Sequence, residues 1–186
     1  MIRRGMALQA SVYKFSVQLA HVDRGVYEKL DVRMARHPSE TERSLLARLV
    51  AYCHLVEEGI EFSKGGLSSP DEPALSIRSL DGRLLTWVEV GTPSAERLHK
   101  AAKAANRVVV VTHHDVKLLI DEITGKRVHR IDEIEVIAIE PSFLDRLAHH
   151  IGERGCAVEV TITEGELYVV AGGESITTTM RRVTLR

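Results

Sequence analysis

Long apolar runs are missing from this 186-residue chain. The most extended, Val108 to Val111 and Leu118 to Ile120, fall far short of the roughly 20 residues that a bilayer-spanning helix requires, so no transmembrane helix and no membrane partner is predicted. Cysteine is scarce as well: Cys53 and Cys156 stand far apart with no Cys-x-x-Cys pair, which argues against a disulfide framework and a zinc ribbon, and both read as small buried hydrophobes. Neither sign of charge dominates. With 25 Lys and Arg against 26 Asp and Glu, nothing in the total demands a polyanionic partner, and any basic site must be local. The opening Met1-Ile2-Arg3-Arg4-Gly5 is basic but lacks the apolar stretch of a secretory signal; residues 1–5 read as a tail or alternative start ahead of Met6, on a cytoplasmic protein. Repeats, low-complexity tracts and linkers are also lacking. What remains, 44% hydrophobic and 27% charged, suits one globular domain over residues 6–186.

Hydrophobic periodicity divides that domain. Alternation from Leu8 to Leu19 and again through Leu30, Val32 and Met34, about the turn Asp23-Arg24-Gly25, predicts a long hairpin. Ser39 and Glu42 fit a capping box that opens a helix to about Glu58, with Leu45, Leu49, Cys53 and Val56 on its buried face and Glu42, Arg43 and Arg48 away from it. Ile60 to Phe62 reads as a short strand. Residues 75–80 and 84–90 form a hairpin about Asp81-Gly82, a dipeptide suited to a type I′ turn. Thr92 as cap and Pro93 at the first helical position start a helix through Ala105, and Val108 to Val111 follows as a strand buried on both faces, which makes residues 84–112 a βαβ crossover. Beyond it, Asp115 to Ile123 reads as helix, Glu135 to Ile139 as extended, Ser142 to Ile151 as helix, and Cys156 to Leu185 as three meandering strands. The fold class is α/β: a mixed central sheet with flanking helices and antiparallel additions at both ends.

Several familiar signatures are absent. Gly125-Lys126 lacks the earlier glycine and following Ser or Thr of a P-loop. His113-His114 and His149-His150 are adjacent pairs whose side chains diverge, although His113, His114 and Asp115 fall beyond the carboxyl end of a parallel strand, where α/β folds bind ligands. The stronger constellation flanks the Asp81-Gly82 hairpin. Antiparallel pairing returns Asp71 and Glu72, which lead into its first strand, beside Glu89 near the end of its second. Two such carboxylates suit Mg²⁺, which keeps several waters and also binds phosphate. Glu89 shares a strand face with Leu85 and Trp87, company in which a carboxylate needs a partner. Arg97 and Lys100, on one face of the next helix, could reach a phosphate, yet Glu96 and Lys100 also fit an ordinary i,i+4 surface pair.

The order helix, three strands, helix, strand over residues 39–112, with Asp71 and Glu89 where it places them, resembles the restriction-endonuclease-like core of PD-(D/E)XK nucleases. More specifically, the chain resembles the bacterial YaeQ family, a variant of that fold. The resemblance lies in Met6-Ala7-Leu8, Arg36-His37-Pro38-Ser39-Glu40-Thr41, Phe62 with Lys64-Gly65, Asp71-Glu72-Pro73, Trp87 with Glu89 and Gly91, Pro93, and Arg97 with Lys100. It implies that Asp71, Glu89 and the Val90 carbonyl hold Mg²⁺ or Mn²⁺, and that Glu40 corresponds to the acid such nucleases carry on their first helix. The motif places a lysine two residues after the second acid, where this chain has Gly91; in some relatives of the fold a basic residue of the next helix substitutes, here Lys100, with Lys103 as fallback. The implied function is a metal-dependent phosphodiester hydrolase, with Asp71, Glu89, Glu40 and Lys100 catalytic. The alternative is an inactive nuclease-fold protein that binds nucleic acid or, as a link between the family and antitermination suggests, a transcription complex, through a strip of Arg97, Lys100, Lys103 and Arg107.

Overall fold

The computed structural model describes residues 10–64 and 71–185; residues 1–9, 65–70 and 186, and with them the expected tail, Met6-Ala7-Leu8 and Gly65, lie outside the described residues. Where the sequence predicts one central sheet, the chain builds two mixed sheets of five and six strands. Strands β1 (Ser11–His21) and β2 (Val26–Arg36) form the long N-terminal hairpin, paired from Ser11↔Arg36 to His21↔Val26. The C-terminal strands β8 (Ala157–Thr163), β9 (Glu166–Ala171) and β10 (Glu174–Thr179) meander antiparallel, and β8 runs parallel to β1. The two terminal additions are therefore one sheet.

The second sheet has the order β11-β7-β6-β5-β4-β3. Helix α1 (Glu42–Leu55) leads into β3 (Ile60–Phe62), β4 (Leu75–Arg78) and β5 (Leu84–Val90), which pair antiparallel. Helix α2 (Ala95–Ala104) then crosses to β6 (Arg107–Thr112), parallel to β5. Helix α3 (Val116–Ile123) leads to β7 (Glu135–Ala138), parallel to β6, and α4 (Pro141–Ala148) follows. The last of the three strands read between Cys156 and Leu185 breaks at Met180, whose amide bonds the Gly165 carbonyl at 2.7 Å; past it the chain leaves the first sheet and adds β11 (Arg181–Val183) to the second, against β7.

Helix α1 lies where the two sheets meet. Its Leu45, Leu46 and Leu49 share one core with Phe15 and Val17 of the first sheet and with Leu75, Val88 and Val109 of the second. Helix α2 covers the other face of the second sheet, where Leu98 and Ala101 pack with Trp87, Val108 and Val110. Because α1 is enclosed on nearly all sides, Arg48, read from the helical wheel as turned away from the packing stripe, is instead fully buried. Cys53 is buried as expected, whereas Cys156 is only half-buried.

Local capping differs from expectation. Thr41, not Ser39, caps α1, its hydroxyl accepting from the Ser44 amide at 3.2 Å, because the Ser39 hydroxyl is engaged 2.6 Å from His37 Nδ1. The helix also ends at Leu55 rather than near Glu58. Ser94, not Thr92, caps α2, accepting from the Arg97 amide at 3.2 Å; its hydroxyl stands the right three residues before that donor, and Pro93 lies ahead of the helix. At Asp81-Gly82 only Gly82 has positive φ, so the turn is not type I′.

Candidate functional site

Strand alternation decides which way Glu89 points. Val88 belongs to the core around α1, while Trp87 belongs to the core under α2, and Glu89, two residues beyond Trp87, faces α2 with it. The carboxylate is buried and its Oε1 accepts two bonds, from the Trp87 indole Nε1–H at 2.5 Å and from Arg97 Nε at 2.6 Å. The Arg97 guanidinium lies 5.9 Å from the Trp87 ring centre and donates through Nη2 to the Glu72 carbonyl at 2.6 Å. Arg97 thus ties the segment preceding β4 to the end of β5. One turn further along α2, Lys100 pairs with Asp71, rather than with Glu96 as an i,i+4 surface pair. Exposure grades outward, from 5% for the Glu89 side chain through 20% for Arg97 to 79% for Asp71.

The two acids are tuned in opposite directions. Burial pushes the Glu89 carboxyl above its usual range, and that penalty outweighs the opposing Trp87 and Arg97 interactions. The Lys100 hydrogen bond and charge hold exposed Asp71 below its usual range. A buried acid with raised affinity for protons beside an exposed one that stays ionised is an arrangement concentrated at functional sites, although ion-pair networks produce it too.

Asp71, Glu89, Arg97 and Lys100 are therefore brought together at the carboxyl end of β5, and Val90 closes that strand. Glu40 is not brought there. Its carboxylate is on the α1 side of the sheet, gripped by Arg48 through Nε at 2.8 Å and Nη2 at 2.7 Å, with side-chain exposures of 0% for Arg48 and 1% for Glu40. Arg107, at the start of β6, is bidentate on Glu135 at 2.7 and 3.0 Å, and Lys103 is exposed in the last turn of α2. Of the four basic residues of the expected strip, Arg97, Lys100 and Arg107 each pair with a carboxylate. Gly91, where the nuclease motif has lysine, takes φ +100°, and a Cβ placed on it would lie 4.0 Å from the His114 imidazole. His114 thus borders the site, a neighbour that the sequence suggests only through its position after a parallel strand. His113 is buried beside it, ring centres 4.2 Å apart, and burial together with His114 and Arg43 pushes its pKa down to about 4. Among the described residues no three His, Cys, Asp or Glu side chains are grouped closely enough to hold a metal ion.

A family model described as YaeQ protein matches residues 6–180. The uncharacterized protein YaeQ of Escherichia coli K12 is 35% identical over 109 residues, which is 59% of this chain and 60% of that protein; the alignment thus spans less than two thirds of the curated relative. The crystal structure of the YaeQ protein from Pseudomonas syringae is similar with a TM-score of 0.83 and 32% identity, covering 94% of this chain and 96% of the other. That of the YaeQ protein from Xanthomonas axonopodis pv. citri gives 0.83 and 28%, with 95% and 99% covered.

Proposed function

Since the chain belongs to the YaeQ family, we propose from that footing that it is a metal-dependent phosphodiester hydrolase of the PD-(D/E)XK type, acting on nucleic acid in the cytoplasm. One observation carries the reading: Lys100 of α2 reaches Asp71, in the same cluster where Arg97 reaches Glu89. The helix following the second acid supplies the basic groups that Gly91 does not.

The donors fit a hard divalent ion. Asp71 is an exposed, ionised carboxylate held by Lys100, and the Oε2 atom of Glu89 takes no part in the bonds to Trp87 and Arg97, so both acids present hard oxygens of the kind such an ion takes. Asp71, Glu89 and the Val90 carbonyl would hold Mg²⁺ or Mn²⁺, which supplies charge neutralisation on a phosphoryl group and a water of lowered pKa. The protein's own groups do the rest. Trp87 and Arg97 fix the Glu89 rotamer, Arg97 anchors the Glu72 backbone against α2, and Lys100, already at the mouth, donates hydrogen bonds to phosphate oxygens where charge grows.

A second reading rests on a different observation. The Arg97 guanidinium already covers Glu89 Oε1 with a fixed positive charge, an arrangement that also suits a nuclease-fold protein binding nucleic acid without cutting it. A nicking assay with Mg²⁺ or Mn²⁺ separates the two. Cleavage by the wild type that disappears in Glu89→Ala is the expected result. Salt-sensitive binding without metal, and no cleavage of any DNA or RNA form, refutes the hydrolase in favour of the binding module.

A further inference from the structure

A cleft of about 650 Å³ opens where the two sheets meet, lined by His21, Arg24, His54, Arg107 and Arg182 among others. It is distinct from the Asp71/Glu89 cluster: Arg107 begins β6 opposite Thr86, whereas Glu89 pairs with Val110 near the strand's other end. Its floor is a histidine pair, His21 Nε2 standing 3.2 Å from His54 Nδ1 with the rings stacked at 5.2 Å. His21 is 2% exposed, and its remaining nitrogen, Nδ1, is buried without a hydrogen-bond partner among the described residues. A buried imidazole nitrogen left unsatisfied in a polar cleft is the kind of group a ligand or water completes.

The cations around the pair are not equally committed. Arg24 donates to the His54 carbonyl at 2.8 Å and stands 3.8 Å from Glu57, and both guanidinium bonds of Arg107 go to Glu135. The guanidinium of Arg182, presented from β11, makes no hydrogen bond or ion pair with any described residue. Among the acids nearby, Glu57 and Glu135 pair with arginines and Asp23 accepts from the Glu164 amide at 2.9 Å, while the Glu164 carboxylate also lines the cleft. At His54 the balance is positive. Burial acts first, then His21, Arg182, Arg24 and Arg107, and together they push its pKa down to about 4, although Glu135 interacts with His54 and Asp23 with His21. Leu55, Ile137, Ile162 and Met180 form an apolar wall beside these groups.

We propose that this cleft binds a phosphomonoester: the phosphate sits between Arg182 and the His21–His54 pair, with Arg24 and Arg107 at its margin, and an organic body lies on the apolar wall. An uncommitted guanidinium supplies the paired N–H donors that phosphate geometry matches, and neutral imidazoles add a donor without carrying charge of their own. The volume is that of a site for a small ligand rather than for a polymer groove.

Titration calorimetry of the full chain at pH 7 and low salt, with AMP and with inorganic phosphate as probes, tests this. AMP is expected to bind about tenfold or more tightly than inorganic phosphate, and Arg182→Ala to weaken AMP by about tenfold or more, with Arg182→Lys in between. Arg182 is exposed and makes no hydrogen bond or ion pair with a described residue, so the variants should melt with the wild type, which the same samples verify. By NMR, saturating AMP should raise the His54 pKa, since it neutralises the arginines that depress it; Glu89→Gln should leave AMP binding unchanged. Equal affinity for both probes would remove the organic body from the proposal. No AMP binding up to roughly 10 mM, AMP binding indifferent to Arg182→Ala, or displacement of AMP by short DNA or RNA would overturn it.

Discussion

Glu40→Ala should unfold the protein more readily before it says anything about catalysis. Glu40 and Arg48 are almost wholly buried, and the guanidinium holds both carboxylate oxygens as well as the Ala35 carbonyl at 2.6 Å. Its Nη1 has no hydrogen-bond partner among the described residues, and the group lies 5.9 Å from the Phe62 ring centre. Deleting the acid strands a buried cation, a change that costs about 3–5 kcal/mol, whereas replacing both partners by apolar residues of similar volume is often neutral or stabilising. For a domain of this length, with about 2–4 °C per kcal/mol, Glu40→Ala should lower the melting temperature by roughly 6–20 °C. Glu40→Leu combined with Arg48→Met should recover most of that loss. Thermal and urea melts of the two single variants and the double give the coupling energy directly. A Glu40→Ala protein that melts within about 2 °C of the wild type but no longer binds Mn²⁺ would refute this reasoning and return Glu40 to the metal.

Three further outcomes are expected. His113 and His54 both titrate near 4 in the folded protein, against 6.5 for an ordinary histidine, so the unfolded chain binds protons that the folded one refuses; stability should be complete above about pH 6.5 and fall as pH drops toward 4, at up to about 1.4 kcal/mol per pH unit for buried His113. A urea midpoint that does not move between pH 7.5 and 5 would contradict that sign. Gly155→Ala should cost more than about 2 kcal/mol, since φ is +101° and a Cβ would stand 2.0 Å from the Lys14 carbonyl oxygen; at Gly25, where φ is +65° but nothing lies within 4 Å, the loss should be about 1 kcal/mol. Paired urea denaturation curves compare them, and equal losses would remove the steric argument. Glu89→Gln keeps an oxygen for the Trp87 N–H and relieves a buried charge, while Arg97 retains the Glu72 carbonyl, so the melting temperature should change by only a few degrees, roughly 1 kcal/mol, while nicking is lost. Collapse of the fold in that variant would show that Glu89 serves stability first.

Where burial follows the local pattern of an element, on one face or on both, periodicity reads it. The β1–β2 hairpin, the β4–β5 hairpin and the run through β6 all follow from alternation or from an unbroken Val stretch. Periodicity fails where partners come from far along the chain. Helix α1 is enclosed by both sheets, so a helical wheel that assumes one solvent face assigns Arg48 outward when it is buried. Parallel pairing of β1 with β8 joins the two ends of the chain, and no local pattern announces it. At Met180 the chain changes partners: Ile176, Thr178 and Met180 are buried in alternation, then Arg181 and Arg182 are both exposed as β11 pairs with the distant β7. The site divides the same way. Glu89 among apolar neighbours signals a need for a partner, and the structure supplies two; spacing alone favours Glu96 for Lys100, because sequence spacing sees neighbours on one helix and not an acid 29 positions away.

In the proposed nuclease reading, the lysine that Gly91 replaces and the cations of α2 follow from one feature of the backbone. Gly91 sits at φ +100°, where an L residue is strained, so β5 ends there and a lysine at that position would carry a conformational penalty before it reached any acid. The same turn frees the chain to enter α2 only four residues later. Because β5 and β6 are parallel, α2 must run back antiparallel between them, and it does so over the face that carries Trp87 and Glu89. Its first turns therefore pass the strand end, where Arg97 meets Glu89 and Lys100 meets Asp71. The positive φ that removes a lysine from the strand is also what delivers two basic side chains from the helix.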